Sequence, residues 1–390
     1  MNSSILPAAI SERCRVSLLT PAGRGAIATI GVAGRSAAAL VGRRFAARSG
    51  RALESYGLGS IVVGDFRSSL GAAEELVVGL IDSQQVEVHC HGGRAAVEAI
   101  VQALVDEGCE RQAWEAWLQA GSSDRLQAAA LRGLALTRTE RTAALLLSQY
   151  RGALRATLVR IARALTDDRR EEAAAGLDGL LGRVSVGCHL TQPWKVVLAG
   201  RPNVGKSSLI NALLGYRRSI VFDEPGTTRD VLTASMAIEG WPIELSDTAG
   251  LRQSDDALES AGIERAREQL READLILAVF EFPQPWTAAD EHFLASLPEP
   301  TPRLLVFNKC DLAGHAAGGR PNGIAVSATS GEGMPELTMQ IARTLVPNPP
   351  QPGDAIPFAN EHAAQLARAR HLLTAGEVEG AAGAIRELLG

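Results

Sequence analysis

Apolar and polar residues alternate with a period of two along several short runs in the first part of the chain. Val16-Ser17-Leu18-Leu19, Ala26 through Val32, Ile61-Val62-Val63, Glu75 through Leu80 and Val86-Glu87-Val88-His89-Cys90 read as strands. The turn Thr20-Pro21-Ala22-Gly23-Arg24-Gly25 joins the first two. Helical stretches fall near residues 36–48 and 94–107, so an α+β N-terminal domain is expected over 1–112. From 113 to 192 the residues turn Ala-, Leu- and Arg-rich. Leu126 through Leu136 and Thr142 through Leu165 carry the helical repeat, which predicts the first part of an α-helical domain.

The texture changes again after Gln192-Pro193. Val196-Val197-Leu198-Ala199 reads as a buried strand and Leu209 through Leu214 as a helix, opening an α/β domain over 193–346. Pro347-Asn348-Pro349-Pro350-Gln351-Pro352 reads as a stiff linker. Residues 353–390 follow with two short helices, 358–375 and 377–389. Helices this short seldom stand alone in water, so they are expected to pack on the helices of 113–192. The α/β domain would then be inserted in a helical one.

Composition narrows the function class only a little. A chain of 390 residues suits two or three domains, and 46% hydrophobic residues is ordinary for a globular protein. A formal net charge of -5 gives no sign of a globally basic nucleic-acid binder, although a local patch stays open. Arg35, Arg43, Arg44, Arg48 and Arg51 come without an intervening acid, as a solvated helix face does; an anion or RNA contact is the other reading. The lysines are Lys195, Lys206 and Lys309, and two of these three fall in the nucleotide motifs described next. Cys14, Cys90, Cys109, Cys188 and Cys310 form neither a C-x-x-C pair nor a zinc spacing, which suits reduced thiols in a cytoplasmic protein. Met1-Asn2-Ser3-Ser4-Ile5 lacks the start of a signal peptide, and no apolar run is long enough to span a bilayer, so no membrane partner is expected.

The chemistry is concentrated in Gly200-Arg201-Pro202-Asn203-Val204-Gly205-Lys206-Ser207-Ser208. This is the pattern G-x-x-x-x-G-K-[ST], whose backbone N–H groups converge on phosphate oxygens. Lys206 would reach the β/γ-phosphates and Ser207 would ligate Mg²⁺. A glycine-containing turn can fit this pattern by chance, but four further motifs follow in order. Gly226-Thr227-Thr228-Arg229-Asp230 lies where switch I belongs, with Thr228 as a second Mg²⁺ ligand. Asp247-Thr248-Ala249-Gly250 follows the strand Ile243-Glu244-Leu245; Asp247 can hold Mg²⁺ and the Gly250 N–H can sense a γ-phosphate. Asn308-Lys309-Cys310-Asp311 follows the strand Arg303 through Phe307. The Asp311 carboxylate can accept from N1–H and the 2-amino group of guanine, which adenine lacks, so GTP/GDP is expected over the adenine nucleotides. Ser327-Ala328 ends the strand Ile324-Ala325-Val326 and suits a backbone contact to guanine O6. Five motifs in this order, at strand ends, predict a doubly wound α/β P-loop GTPase domain.

Leu251 stands where many small GTPases carry a water-orienting Gln. Two replacements are visible. Asn203 can help hold a monovalent cation beside the phosphates, and Glu259 can position water.

The set formed by the loop at Gly200, Gly226-Thr227-Thr228-Arg229-Asp230, Asp247-Thr248-Ala249-Gly250-Leu251-Arg252, Asn308-Lys309-Cys310-Asp311 and Ser327-Ala328 resembles the MnmE (TrmE) family of tRNA-modification GTPases. Thr20 through Ile27 and Val86 through Gly93 resemble the family's opening turn and its H-C-H-G-G segment, so the resemblance spans nearly the whole chain. It implies a folate-binding, dimerising N-terminal domain, a helical domain and an inserted GTPase domain. It implies K⁺-stimulated GTP hydrolysis through a transient GTPase-domain dimer, with Asn203 on K⁺, Val221 through Gly226 as the potassium loop and Glu259 positioning water. Lys206 and Gly250 complete the catalytic set, and Arg24 is the candidate contact for a tetrahydrofolate derivative. The implied partners are a second copy of the chain, tRNA and a flavin-dependent MnmG-type protein that acts in wobble-uridine modification.

Some features depart from the family pattern. The C-x-G-K tail has no counterpart in Ile385-Arg386-Glu387-Leu388-Leu389-Gly390, and the family's G-K-L-D-L-T-Q-A-E-like run reads Gly133 through Glu140, one residue shorter. The missing tail suggests a divergent paralogue, a regulatory GTPase switch in RNA or ribosome assembly without modification activity. A non-hydrolysing scaffold is the third reading, and the presence of Thr228, Asp247 and Glu259 argues against it. His89-Cys90-His91 invites a nucleophile, metal or folate-pocket role. On a strand, however, the two histidines share one face and Cys90 takes the other, which favours strand packing and a turn at Gly92-Gly93.

Overall fold

The computed structural model describes residues 13–21, 25–68, 73–121, 124–215, 220–221, 233–247, 264, 266–312 and 320–390. The chain divides into two compact units, residues 1–128 and 129–390.

The first unit is built on a seven-stranded sheet of order β3-β4-β5-β6-β2-β1-β7. Its strands are β1 (Arg15–Leu18), β2 (Ile27–Ala33), β3 (Phe45–Ala47), β4 (Ile61–Arg67), β5 (Ala73–Leu80), β6 (Gln85–His91) and β7 (Glu110–Arg111). All pairings are antiparallel except that of β1 with β7. Period-two alternation sends Val62 and Phe66, Leu76 and Val78, Val86, Val88 and Cys90, and Ile30 and Val32 into one core. Helices α1 (Ala37–Gly42) and α2 (Arg94–Asp106) add Leu40, Val41, Ile100 and Leu104 to it, and α3 (Trp114–Ala120) follows β7. The opposite face carries Ile27, Ile61 and Val63 exposed, with His89 paired in register to Val77 and Thr29.

The helix expected over 36–48 stops at Gly42, and Phe45-Ala46-Ala47 becomes a strand in register with Gly64-Asp65-Phe66. Burial of Phe45 beside β4 outweighs local helical preference. The arginine run is therefore not a single helix face. Arg43 and Arg44 meet Glu107 at 3.3 and 2.6 Å, Arg48 pairs with Glu75, and Arg51 lies 4.5 Å over the Tyr56 ring.

In the second unit, the helices α4 (Arg125–Leu136, which straddles the boundary), α5 (Glu140–Tyr150), α6 (Ala153–Thr166), α7 (Arg170–Leu181) and α8 (Val184–Cys188) lead into the α/β part. The helical run from Thr142 to Leu165 is divided at Arg151-Gly152, where Gly152 takes φ +98° and starts α6. The α/β sheet has β8 (Trp194–Ala199), β9 (Ile220–Val221), β10 (Thr233–Ile238), β11 (Trp241–Asp247), β12 (Leu275–Glu281), β13 (Arg303–Asn308) and β14 (Ile324–Ala325) in the order β14-β13-β12-β8-β11-β10-β9. The pairings are parallel from β14 through β11, and β10 returns antiparallel. Helices α9 (Lys206–Leu214), α10 (Ala288–Ala295) and α11 (Met334–Leu345) accompany it.

The last two helices, α12 (Asn360–Thr374) and α13 (Val378–Leu389), do pack on the earlier ones. Arg370 forks onto Asp178 at 2.7 and 3.2 Å, and Arg155 donates to the Leu389 carbonyl at 2.9 Å. The returning segment is received by Gln149, which donates to Asp354 O at 2.9 Å and accepts from Ile356 N at 3.1 Å. Beside it Gly187 lies so close to Pro357 that a Cβ there would overlap the proline's carbonyl oxygen.

Candidate nucleotide-binding site

Strand β8 ends at Ala199, and the chain turns through Gly200 to Gly205 before α9 begins at Lys206. Asn203 and Gly205 hold positive φ angles of 66° and 92°. At Gly205 a Cβ would also overlap the amide of Asn308, so both the turn and the close approach require glycine. The first turn of α9 leaves N–H groups without helical partners and carries the positive end of the helix dipole, a ready anion site.

Lys206 is only 4% exposed, and its ammonium donates to the carbonyls of Gly200 at 3.1 Å and Arg201 at 3.0 Å. Asp247, at the end of β11 and equally buried, stands 3.9 Å from that ammonium. The Ser207 hydroxyl donates to the other Asp247 oxygen at 3.0 Å. A serine hydroxyl and a carboxylate so placed are hard oxygen donors of the kind Mg²⁺ takes.

Asn308 joins three motifs. Its amide N–H donates to Val204 O at 3.0 Å and its carbonyl oxygen accepts from Ala328 N at 3.1 Å, so the phosphate loop and Ser327-Ala328 are tied to the end of β13. Lys309, at φ +67°, donates to Asn203 O at 2.8 Å and pairs with Glu281. Ser327 is fully buried and its hydroxyl accepts from Ser330 N at 3.0 Å, which shapes the turn beneath Ala328. Asp311 is exposed on the short 3₁₀ turn Cys310–Leu312 that follows Lys309. Ser208 is exposed in the first turn of α9.

The structure thus brings together Asn203, Val204, Gly205, Lys206, Ser207, Asp247, Asn308, Lys309, Ser327 and Ala328. Arg24, the segment 222–226, Thr228, Gly250, Leu251 and Glu259 lie outside the described residues. Two contributors escaped the sequence reading. Glu281 partners Lys309 from the end of β12. Asp290 pairs with Arg201 of the phosphate loop at 3.1 Å. The spacing Thr287-x-x-Asp290, a helix-capping pattern, was the available signal for the second; the first had none.

The other motif in question, His89-Cys90-His91, behaves as its alternation predicts. Cys90 is in the core, and burial, with Glu74 adding to it, pushes its thiol up to about 11. His89 contacts the Thr29 hydroxyl at 3.1 Å and His91 contacts Glu74 at 2.9 Å. Among the described residues no three His, Cys, Asp or Glu side chains are grouped to hold a metal, and no helix is long and apolar enough to cross a membrane.

Residues 195–309 match the family model described as 50S ribosome-binding GTPase. The tRNA modification GTPase MnmE of Synechococcus sp. (strain CC9605) is 35% identical to the chain over 354 residues, spanning 81% of this chain and 77% of that protein. The chain belongs to the MnmE family. A second MnmE, from Symbiobacterium thermophilum, is 32% identical over 380 residues, 86% of this chain and 83% of its own length. Among solved structures, the G domain of the T. maritima FeoB iron transporter is 30% identical and covers 39% of this chain and 99% of that chain, with a TM-score of 0.30. As an MnmE-family protein the chain is a GTPase, an enzyme of guanine nucleotide and Mg²⁺ built on a P-loop α/β domain.

Proposed function

We propose that this MnmE-family GTPase hydrolyses GTP at the Gly200–Ser208 loop with stimulation by K⁺, and that the hydrolysis serves wobble-uridine modification of tRNA. The observation that carries this reading is the convergence of four motifs at the ends of the parallel strands, where Asn308 bonds both to the phosphate loop and to Ala328. In this reading Lys206 neutralises the β/γ-phosphates, and Asp311 and the Ala328 N–H read guanine. Ser207, Asp247 and Thr228 hold Mg²⁺, which supplies charge neutralisation at the phosphates. The Gly250 N–H meets the γ-phosphate and Glu259 orients water. Asn203 is exposed at the loop's turn, and its amide oxygen suits K⁺.

The architecture is read as an N-terminal dimerisation domain and a helical domain interrupted by the GTPase domain. Contacts of α12 and α13 with α6 and α7 on either side of the α/β sheet support the interruption. The exposed Ile27, Ile61 and Val63 on one sheet face support a homodimer through the N-terminal domain. A transient GTPase-domain dimer, a tetrahydrofolate derivative near Arg24, tRNA and a flavin-dependent MnmG-type partner complete the proposal. Relatives named as tRNA modification GTPases span over four fifths of the chain, which favours this reading over a ribosome-assembly switch. Two measurements test it. GTPase rates in KCl should exceed those in NaCl, and equal rates reject the cation role of Asn203. The chain should restore wobble modification in a strain lacking its own MnmE; failure there, with GTPase activity intact, rejects the tRNA assignment.

A further inference from the structure

Arg201, the second residue of the phosphate loop, is held at both ends. Its backbone carbonyl accepts from the Lys206 ammonium at 3.0 Å, one of the two loop carbonyls that aim that ammonium. Its guanidinium meets one oxygen of Asp290 at 3.1 Å. The other Asp290 oxygen accepts from the Thr287 N–H at 3.0 Å and the Thr287 hydroxyl at 2.6 Å, capping α10. The Asp290 side chain is 10% exposed, whereas that of Arg201 is 51% exposed. Beside the pair is a cavity of about 290 Å³ lined by Arg201, Val204, Trp286, Asp290 and Phe307, so packing does not confine the arginine. The ion pair does.

We infer that Asp290 is a positioning residue for nucleotide binding: through Arg201 it fixes the loop carbonyl that orients Lys206, and so links the start of α10 to the phosphate site. This rests on the reading that the Gly200–Ser208 loop binds GTP. The contacts hold the shape of the loop and involve no group assigned to the attacking water, so their loss weakens binding more than turnover.

The test uses the full-length chain, a fluorescent GDP analogue and steady-state GTP hydrolysis. Asp290→Asn and Arg201→Gln should each speed GDP release and raise KM about twofold to fivefold, the range of a partly exposed charged pair, with kcat at the wild-type value. The double variant should be no worse than either single one, and Arg201→Lys should restore most of the loss. Thr287→Val removes a hydroxyl from the cap but not the ion pair; it should lower the thermal midpoint and leave GDP release unchanged. Additive effects in the double variant, or wild-type release in both single variants, overturn the inference. Loss of kcat with KM intact does so too. Lys206→Ala separates the underlying reading: wild-type nucleotide affinity in that variant would reject the loop as the GTP site, whatever Asp290 does.

Discussion

Removing the Asn308 side chain should disable the site without touching any group assigned to phosphate or metal. Asn308 is 2% exposed and makes two well-formed hydrogen bonds, to Val204 O at 3.0 Å and from Ala328 N at 3.1 Å. A third contact, to Gly205 O at 3.5 Å, is at the limit of hydrogen bonding and adds little. Two buried hydrogen bonds at about 1 kcal/mol each give about 2 kcal/mol, before any penalty for the partners left behind. These bonds tie the loop to the Ser327-Ala328 turn, so in Asn308→Ala the ligand must itself order both. If most of the loss appears in binding, GDP affinity falls roughly thirtyfold. Asn308→Asp refines the test. It keeps an acceptor for Ala328 N but sets a carboxylate oxygen against Val204 O, so it should bind at least as weakly as the alanine variant. Titration with fluorescent GDP, alongside thermal unfolding to show that the variants are folded, measures both effects. An affinity within about threefold of wild type in a folded Asn308→Ala protein would refute the reasoning.

Two other predictions concern the rest of the molecule. His362 is buried beside Phe358, and desolvation lowers its pKa from 6.5 to about 4. The unfolded chain therefore takes up the proton first, and up to ~3 kcal/mol of stability present above pH 6.5 is lost as the pH falls toward 4; His362→Leu should flatten the thermal midpoint across that window, and an unchanged slope would show that other groups cause it. Val63→Asp places a charge on the exposed apolar face of the first sheet, and light scattering should show a wild-type dimer become a monomer with GDP affinity unchanged; equal masses would remove that face from the dimer.

The nucleotide site was legible because its parts are local. Each motif is a short strand followed by a loop whose residue types are dictated by what the loop must touch, so Gly205, Lys206 and Asn308 announce themselves without knowledge of their neighbours. The geometry between motifs was not legible. Nothing near Glu281 in sequence reveals Lys309 as its partner, and Asp290 reads as a helix cap until Arg201 is found against it. The errors elsewhere have the same origin. Residues 36–48 have helical composition, but Phe45 gains more from the core beside Phe66 than from another turn of helix. Gly152 sits inside a periodic run, where a single glycine lowers helical preference only modestly, yet it turns the chain between two helices. The arginine run looked unneutralised because Glu75 and Glu107 are distant in sequence.

The close approach of Gly187 to Pro357 has a consequence for how the protein reaches its native state. The two residues are about 170 positions apart (187 to 357), and their contact closes the chain segment that contains the whole α/β sheet. Closing a flexible loop of that length is costly, and it becomes easier once the intervening chain has compacted. Helices α12 and α13, of 15 and 12 residues, are too short to persist in water while they wait. Folding of the α/β part should therefore precede and speed docking of the C-terminal helices. A substitution that merely slows the α/β part would leave residues 360–389 exposed to proteases for longer, so degradation would begin far from the altered residue.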